Sequence, residues 1–218
     1  MPMPWAPVER RSLATTFATT DPEQPTLCEG WTTRHLLAHL VQRERRPFAR
    51  VADQLSRREP GHEKHLGKLV DRARTPEGYD ALLSRFAQGP SRWSPMAWAD
   101  EAVNFLEYVI HHEDVRRGSS PPLEPRLLPD EELQAIWKRL RSLSRLGYRR
   151  APVGVILALP AGPRQVVHQG EDGVVLTGDP VELLLYTSGR RQAAQVELTG
   201  TPESVRRFET WVGSHRVP

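Results

Sequence analysis

The sequence predicts a helical up-and-down bundle followed by a small α+β domain. Three observations carry that expectation. Before residue 118 the apolar residues recur at helical spacing, and after Tyr148 they fall into short strand-like runs. Between these regions lies Gly118-Ser119-Ser120-Pro121-Pro122-Leu123-Glu124-Pro125, a cluster that cannot continue a helix. The expected organisation is a helical domain over residues 1–118, a linker over 119–129 and an α+β domain over 130–218.

Taken in order, residues 7–18 form the first helix, stopped before Asp21-Pro22. Thr32 or Thr33 caps a second that runs to about residue 46, where Pro47 brakes or kinks it. Residues 48–56 continue in a similar direction. Residues 62–74 are a third helix, and Thr75-Pro76-Glu77 opens a fourth that runs to about residue 88, with Thr75 as cap and proline in the first turn. The longest spans about residues 96–117, with Gly118 at the position after the helix where glycine's left-handed backbone is favoured. Helices joined by connections of modest length form an up-and-down bundle, whose sites are built from side chains on facing helices.

Beyond the break, Asp130 caps a helix over residues 131–146. Strands follow at 153–159, 165–169 and 173–177, separated by glycine-containing turns such as Glu171-Asp172-Gly173. Thr177-Gly178-Asp179-Pro180 and Thr199-Gly200-Thr201-Pro202 form an internal echo. Each ends an apolar strand and opens a helix, with Asp179 or Thr201 as cap and proline at the first helical position. Asp179 and Glu182 also have the spacing of a capping box. The helices are expected to pack on one face of a small sheet.

Composition narrows the function. Hydrophobic residues make up 38% and charged residues 26%, an ordinary globular balance. No apolar run reaches the roughly 18 residues of a membrane-spanning helix. The opening Met1-Pro2-Met3-Pro4-Trp5 lacks the charged-then-apolar order of a signal peptide, so a cytoplasmic protein is expected. The net charge is +3, with basic residues dispersed among acids, as in Arg43-Glu44-Arg45-Arg46. Without a basic stripe interleaved with aromatics, nucleic acid is not an expected partner. Lys64, Lys68 and Lys138 are the three lysines among 30 basic residues, the rest being arginine. A GC-rich genome explains that bias, and arginine is also the better planar partner for carboxylates and phosphates.

Cys28 is the single cysteine, which excludes an intramolecular disulfide and a cysteine-rich zinc cluster. No basic residue lies within three positions of it to lower its pKa. A small buried hydrophobe is expected there rather than a nucleophile. The sequence contains no nucleophile elbow, phosphate loop or dinucleotide fingerprint.

Two helical segments stand out: Leu36-Leu37-Ala38-His39-Leu40 and Glu107-Tyr108-Val109-Ile110-His111. At i, i+4, Glu107 and His111 share one helix face, their Cβ atoms about 5–6 Å apart. On a helical wheel both sit just past one edge of the apolar arc that includes Phe105, Leu106, Val109 and Ile110, and Asp114 lies with them. His112 falls on the opposite flank beside Tyr108. His39 flanks the stripe of Leu36, Leu37, Leu40 and Val41. Two nitrogens and one carboxylate from two helices are a ligand set of open zinc sites, which keep a fourth position for water or substrate. Asp114, about one turn past His111, is placed to orient it.

Blander readings stand beside this one. His39 can serve as a structural histidine, and Glu107–His111 can be a surface pair worth about a few tenths of a kcal/mol. His35 and His39 are also i, i+4 and can bind metal as a pair. His62-Glu63-Lys64-His65 is not the His-Glu-x-x-His pattern of metalloproteases and reads as a solvated helix start. His168 and His215 carry no pattern.

The stretch Glu29-Gly30-Trp31-Thr32-Thr33-Arg34-His35-Leu36-Leu37-Ala38-His39-Leu40 resembles the segment opening the second helix of the mycothiol-dependent maleylpyruvate isomerase N-terminal family. That family belongs to the wider DinB-like four-helix-bundle superfamily. Residues 104–117 resemble its matching later helix, where the family shows Glu-x-x-x-His-x-x-Asp. The resemblance implies a DinB-like bundle, with His39, Glu107 and His111 as ligands to a divalent metal, zinc. Residues 174–211, with Leu183-Leu184-Leu185-Tyr186-Thr187-Ser188-Gly189-Arg190-Arg191, are similar to the sterol-carrier-like α+β domain that follows in those isomerases. Within this group the chain resembles an actinobacterial branch of metal-binding proteins.

The function so implied is that of a metal-dependent enzyme with a low-molecular-weight thiol, mycothiol, as cofactor. The metal holds the thiol as thiolate, which attacks an electrophilic carbon of a small-molecule substrate in an isomerisation or an S-transfer. Arg190 and Arg191 are the catalytic candidates, as binders of a substrate or cofactor anion. A plain helix C-terminal placement is the alternative for both. Two further readings are a metal-dependent hydrolase with water as nucleophile and a non-enzymatic metal-binding or small-ligand-binding module. A monomer or homodimer is expected.

Overall fold

The computed structural model describes residues 4–45, 53, 63–90, 104–119 and 123–214. Most of the expected 48–56 segment, the start of the 96–117 helix, His62 and His215 lie outside these residues. The described chain contains eight α-helices and a small four-stranded sheet. It divides into two compact units, Met1–Pro125 and Arg126–Pro218. No described helix is long and apolar enough to cross a membrane.

In the first unit α1 (Trp5–Thr19) buries Ala6, Leu13 and Phe17 together with two charged residues, Glu9 and Arg10. Helix α2 (Thr33–Arg45) buries the expected Leu36, Leu37, Leu40 and Val41. Thr32 is its cap residue, and the Thr32 N–H donates to His35 Nδ1 at 3.3 Å, so His35 takes the third-position role of a capping box. The short α3 (Lys64–Arg72) packs on α2. Helix α4 (Pro76–Ala87) begins as expected, with the Thr75 hydroxyl oxygen accepting from Gly78 N–H at 3.1 Å. It contacts both α1 and α2. Helix α5 (Phe105–Arg117) packs against α1 and is buried on nearly all sides, its polar residues 111–114 included. Phe86 lies edge-on to Phe17 and Tyr108, with ring centroids 5.7 and 5.9 Å away, and ties three of these helices into one core.

Gly118 departs from expectation. Its φ of −77° is right-handed, so it is not a left-handed helix stop. It is glycine for want of space: a Cβ there would lie 2.4 Å from Thr26 Cα and 2.5 Å from Pro25 O. The loop ahead of α2 is pressed onto the end of α5 at this point.

In the second unit α6 (Asp130–Gly147) buries Glu132, Ile136, Leu140 and Ser144 at i, i+4 spacing. Asp130 is its first residue and Pro129 holds the cap position, so the expected cap is displaced by one. The three acids Asp130, Glu131 and Glu132 still complement the helix dipole from the first turn. Strands β1 (Gly154–Ala158), β2 (Arg164–His168), β3 (Gly173–Thr177) and β4 (Glu197–Gly200) form a sheet in the order β2-β1-β3-β4. The β1–β3 pairing is parallel and the two outer pairings are antiparallel. Register sets Val155 beside Val174 and Leu157 beside Leu176, and all four are fully buried, as period-two alternation requires of one packed face.

Helix α7 (Pro180–Thr187) packs on α6, and α8 (Pro202–Ser214) packs on β3 and β4. The internal echo is only half symmetric. The Thr201 hydroxyl oxygen accepts from Ser204 N–H at 3.2 Å, whereas the Asp179 side chain makes no cap bond. Glu182 accepts instead from Gln195 N–H at 2.7 Å, a tie to the chain before β4 in place of the capping box.

Candidate metal centre

Helices α2 and α5 meet through side chains. Tyr108 donates to Glu44 Oε1 at 2.6 Å and Arg10 donates to the Tyr108 oxygen at 2.5 Å, a network buried among α1, α2 and α5. From the position next to Glu44, Arg43 Nε donates to Asn104 Oδ1 at 3.2 Å, and its Nη1 lies 3.3 Å from Oε2 of Glu107, the neighbour of Tyr108. A further turn along brings the His39 ring to 5.4 Å from the His111 ring, nearly perpendicular to it.

One ligand atom each of His39, Glu107 and His111 lies within 4.8 Å of the other two. His111 Nε2 is 3.5 Å from Glu107 Oε2. The His111 side chain is 8% exposed and that of Glu107 33% exposed, so the cluster is open on the carboxylate side. On its other edge His111 Nδ1 is 2.8 Å from Oδ2 of the fully buried Asp114. A carboxylate only accepts, so Nδ1 carries the proton and Nε2 is turned to Glu107.

The electrostatics follow from this crowding. Desolvation pushes the Glu107 carboxyl up, but the hydrogen bond from His111 and the charges of His111, Arg43 and His39 outweigh it and bring its pKa down to about 2. Desolvation pushes His111 down, but hydrogen bonds with Asp114, Cys28 and Glu107 outweigh it and hold the imidazole well above its usual value.

The competing histidines have other work. His35 serves the start of α2. His112 faces α1, with Nδ1 3.1 Å from Glu9 Oε2 and Nε2 2.7 Å from Thr16 Oγ1, and both His112 and Glu9 are 2% exposed. His65 donates its backbone N–H to Asp53 Oδ1 at 3.1 Å.

Two participants were missed from the sequence, and one of them corrects an expectation. Cys28 is not a small buried hydrophobe: it is half-buried, and its thiol donates to Asp114 Oδ2 at 3.2 Å. Arg43, read as part of a dispersed charge run, is 8% exposed and braces Glu107. Arg190 and Arg191 lie in the second unit. Arg190 Nη1 donates to Ser188 O at 2.7 Å, at the end of α7, and Arg191 Nη1 donates to Val212 O at 2.5 Å, in the last turn of α8.

A helical unit with an imidazole–carboxylate cluster between two of its helices, followed by a small mixed unit, defines the class of protein. The model of the family described as mycothiol maleylpyruvate isomerase N-terminal domain matches residues 8–116, and the chain belongs to that family. A crystal structure of the mycothiol-dependent maleylpyruvate isomerase is similar, with a TM-score of 0.56 at 19% identity over 89% of this chain and 90% of that chain. A crystal structure of a histidine-to-alanine mutant of mycothiol-dependent maleylpyruvate isomerase gives a TM-score of 0.53 at 14% identity over the same shares. At these identities the likeness is one of fold. No curated protein matches the chain.

Proposed function

We propose that this protein binds a divalent metal, zinc, through His39, Glu107 and His111, and uses mycothiol either to isomerise a small electrophilic substrate or, as an S-transferase, to join the thiol to the substrate's electrophilic carbon as a leaving group departs. The observation that carries the reading is the convergence of three ligand atoms within 4.8 Å from two helices. The donor set fits the ion: two imidazoles and one carboxylate make a three-ligand site with an open position. When bound, the metal would supply a Lewis-acidic centre at which a thiol is held deprotonated.

The chain's own residues do the rest. Asp114 holds the proton on His111 Nδ1 and aims Nε2 at the site. Arg43 offsets the Glu107 charge and keeps its carboxylate from swinging to solvent. The open carboxylate side gives a thiol a way in. We read the first unit as a DinB-like four-helix bundle and the second as a sterol-carrier-like domain, with residues 119–129 as linker. Arg190 and Arg191 are assigned to bind a substrate or cofactor anion there, each donating to a carbonyl at a helix end.

Mycothiol is the proposed thiol because the family and the similar solved structures carry it in their descriptions. The test is turnover of maleylpyruvate by zinc-loaded protein with and without mycothiol. Turnover that needs the thiol supports the reading. Hydrolysis of ester or amide substrates without thiol would move the assignment to a metal-dependent hydrolase.

A further inference from the structure

We propose that the loop over residues 25–32 is the positioning element of this metal centre, Cys28 acting on His111 both directly and through Asp114, and Trp31 acting on His39. The inference rests on the metal reading above and adds two residues that it does not need.

Cys28 Sγ lies 3.2 Å from Asp114 Oδ2, the same oxygen that accepts from His111 Nδ1 at 2.8 Å. The acceptor is a carboxylate, so the thiol is the donor. Two donors on one oxygen fix the Asp114 carboxylate from two directions, and with it the plane of the His111 ring. Three residues further along the same loop, the Trp31 ring sits 5.1 Å from the His39 ring, tilted by 53°. One short segment therefore reaches both histidines of the cluster.

The loop is built to hold its place. Trp31 N–H closes a turn onto Cys28 O at 2.9 Å, with Gly30 at φ +75° in the position that demands glycine. Thr26 N–H donates to Trp31 O at 3.0 Å, and Cys28 N–H donates to Thr26 Oγ1 at 3.2 Å. Two bonds stitch the segment to α5: Leu27 N–H to Asp114 O and Gln24 Nε2 to Val115 O, both 3.0 Å. Asp114 is thus tied to the loop through its backbone carbonyl as well as its side chain. Cys28 is a positioning residue, in contact with the His111 ring as well as with Asp114.

The test compares zinc affinity, by chelator competition, for wild type, Cys28→Ala, Cys28→Ser, Trp31→Ala and Trp31→Phe. It also follows the His111 Nδ1–H proton by NMR in the metal-free proteins. Partners that orient a ligating histidine are worth about 10–100-fold in metal affinity, so Cys28→Ala is expected to lose about tenfold. Cys28→Ser, which keeps a donor, recovers most of that loss. Trp31→Ala weakens binding and Trp31→Phe retains it. Cys28→Ala shifts the His111 proton and leaves the His112 ring protons in place.

Unchanged zinc affinity in Cys28→Ala, in a wild type that binds zinc, overturns the inference and spares the metal reading. A wild type that binds no zinc defeats the metal reading. The proton measurement then decides alone: a shifted His111 resonance supports the Cys28–Asp114–His111 relay, and an unshifted one overturns it.

Discussion

His111 Nδ1 and Asp114 Oδ2 lie 2.8 Å apart on one face of α5, with the carboxylate fully buried. That contact chooses the imidazole nitrogen that faces Glu107 and His39. Asp114→Asn removes the charge and part of the acceptor geometry at nearly constant volume. Zinc affinity, measured by chelator competition, should fall by about 10–100-fold. An affinity equal to wild type would mean that the His111 ring is held by other contacts.

Neighbouring histidines should separate by role. His111→Ala is expected to abolish stoichiometric zinc, and it also costs stability because it takes a partner from the fully buried Asp114 carboxylate. His112→Ala should keep zinc but lose stability, because it takes one partner from the Glu9 carboxylate, buried at 2% exposure. Removing one partner of a buried polar pair costs about 3 kcal/mol. Denaturant midpoints and metal content on both variants check this, and the reversed pattern would transfer the ligand role to His112.

Asp53 gives the fold an acid-sensitive joint. It accepts from Leu66 N–H at 2.9 Å, His65 N–H at 3.1 Å and Gln42 Nε2 at 2.6 Å, and so serves the open N-terminal amides of α3 while bonding to α2. Desolvation pushes its carboxyl up, but these hydrogen bonds outweigh it and hold the pKa below the ordinary 3.8. The folded pKa is the lower one, so the stabilisation is complete above the unfolded value and vanishes as pH falls through the folded value. Asp53→Asn should cost about 1 kcal/mol at neutral pH, the scale of a lost helix cap. The gap between variant and wild type should close in acid; a pH-independent gap would exclude the ionised cap.

Gly118→Ala should destabilise the first unit by about 1–3 kcal/mol, the usual cost of overpacking, because the new Cβ falls on Thr26 and Pro25. The same displacement moves the loop carrying Cys28 and Trp31, so zinc affinity should fall with stability. Chemical denaturation and chelator competition on one preparation read both. An unchanged midpoint would show that the loop yields freely at this point.

Much of the scaffold was legible because its signals are local. The stripe of α2, the Thr75-Pro76 start of α4 and the strand β3 follow from periodicity and capping, which act within a few residues. Glu107, His111 and Asp114 share a helix face, so spacing alone brings them together. His39 joins them as a histidine flanking a second apolar helix, an assignment the family resemblance strengthens, since no local rule pairs residues 72 positions apart. Cys28 was misjudged for the same reason: its neighbours in sequence are uncharged or acidic, and its partner Asp114 arrives through the tertiary fold. Arg43 stands out in sequence only as part of a run of mixed charges, and its burial depends on how α5 lies beside α2. Gly118 was read from backbone statistics, whereas its requirement comes from the approach of a loop some 90 residues earlier.

Elemental analysis of protein purified without a metal-affinity column tests the central claim most directly, with wild type beside His39→Ala. The account predicts one zinc per chain in the wild type and its loss from the variant, as expected for an open three-ligand site. A wild type that carries no metal, and whose stripped form takes up none, would contradict it and leave His39, Glu107 and His111 as a polar cluster with no metal to hold.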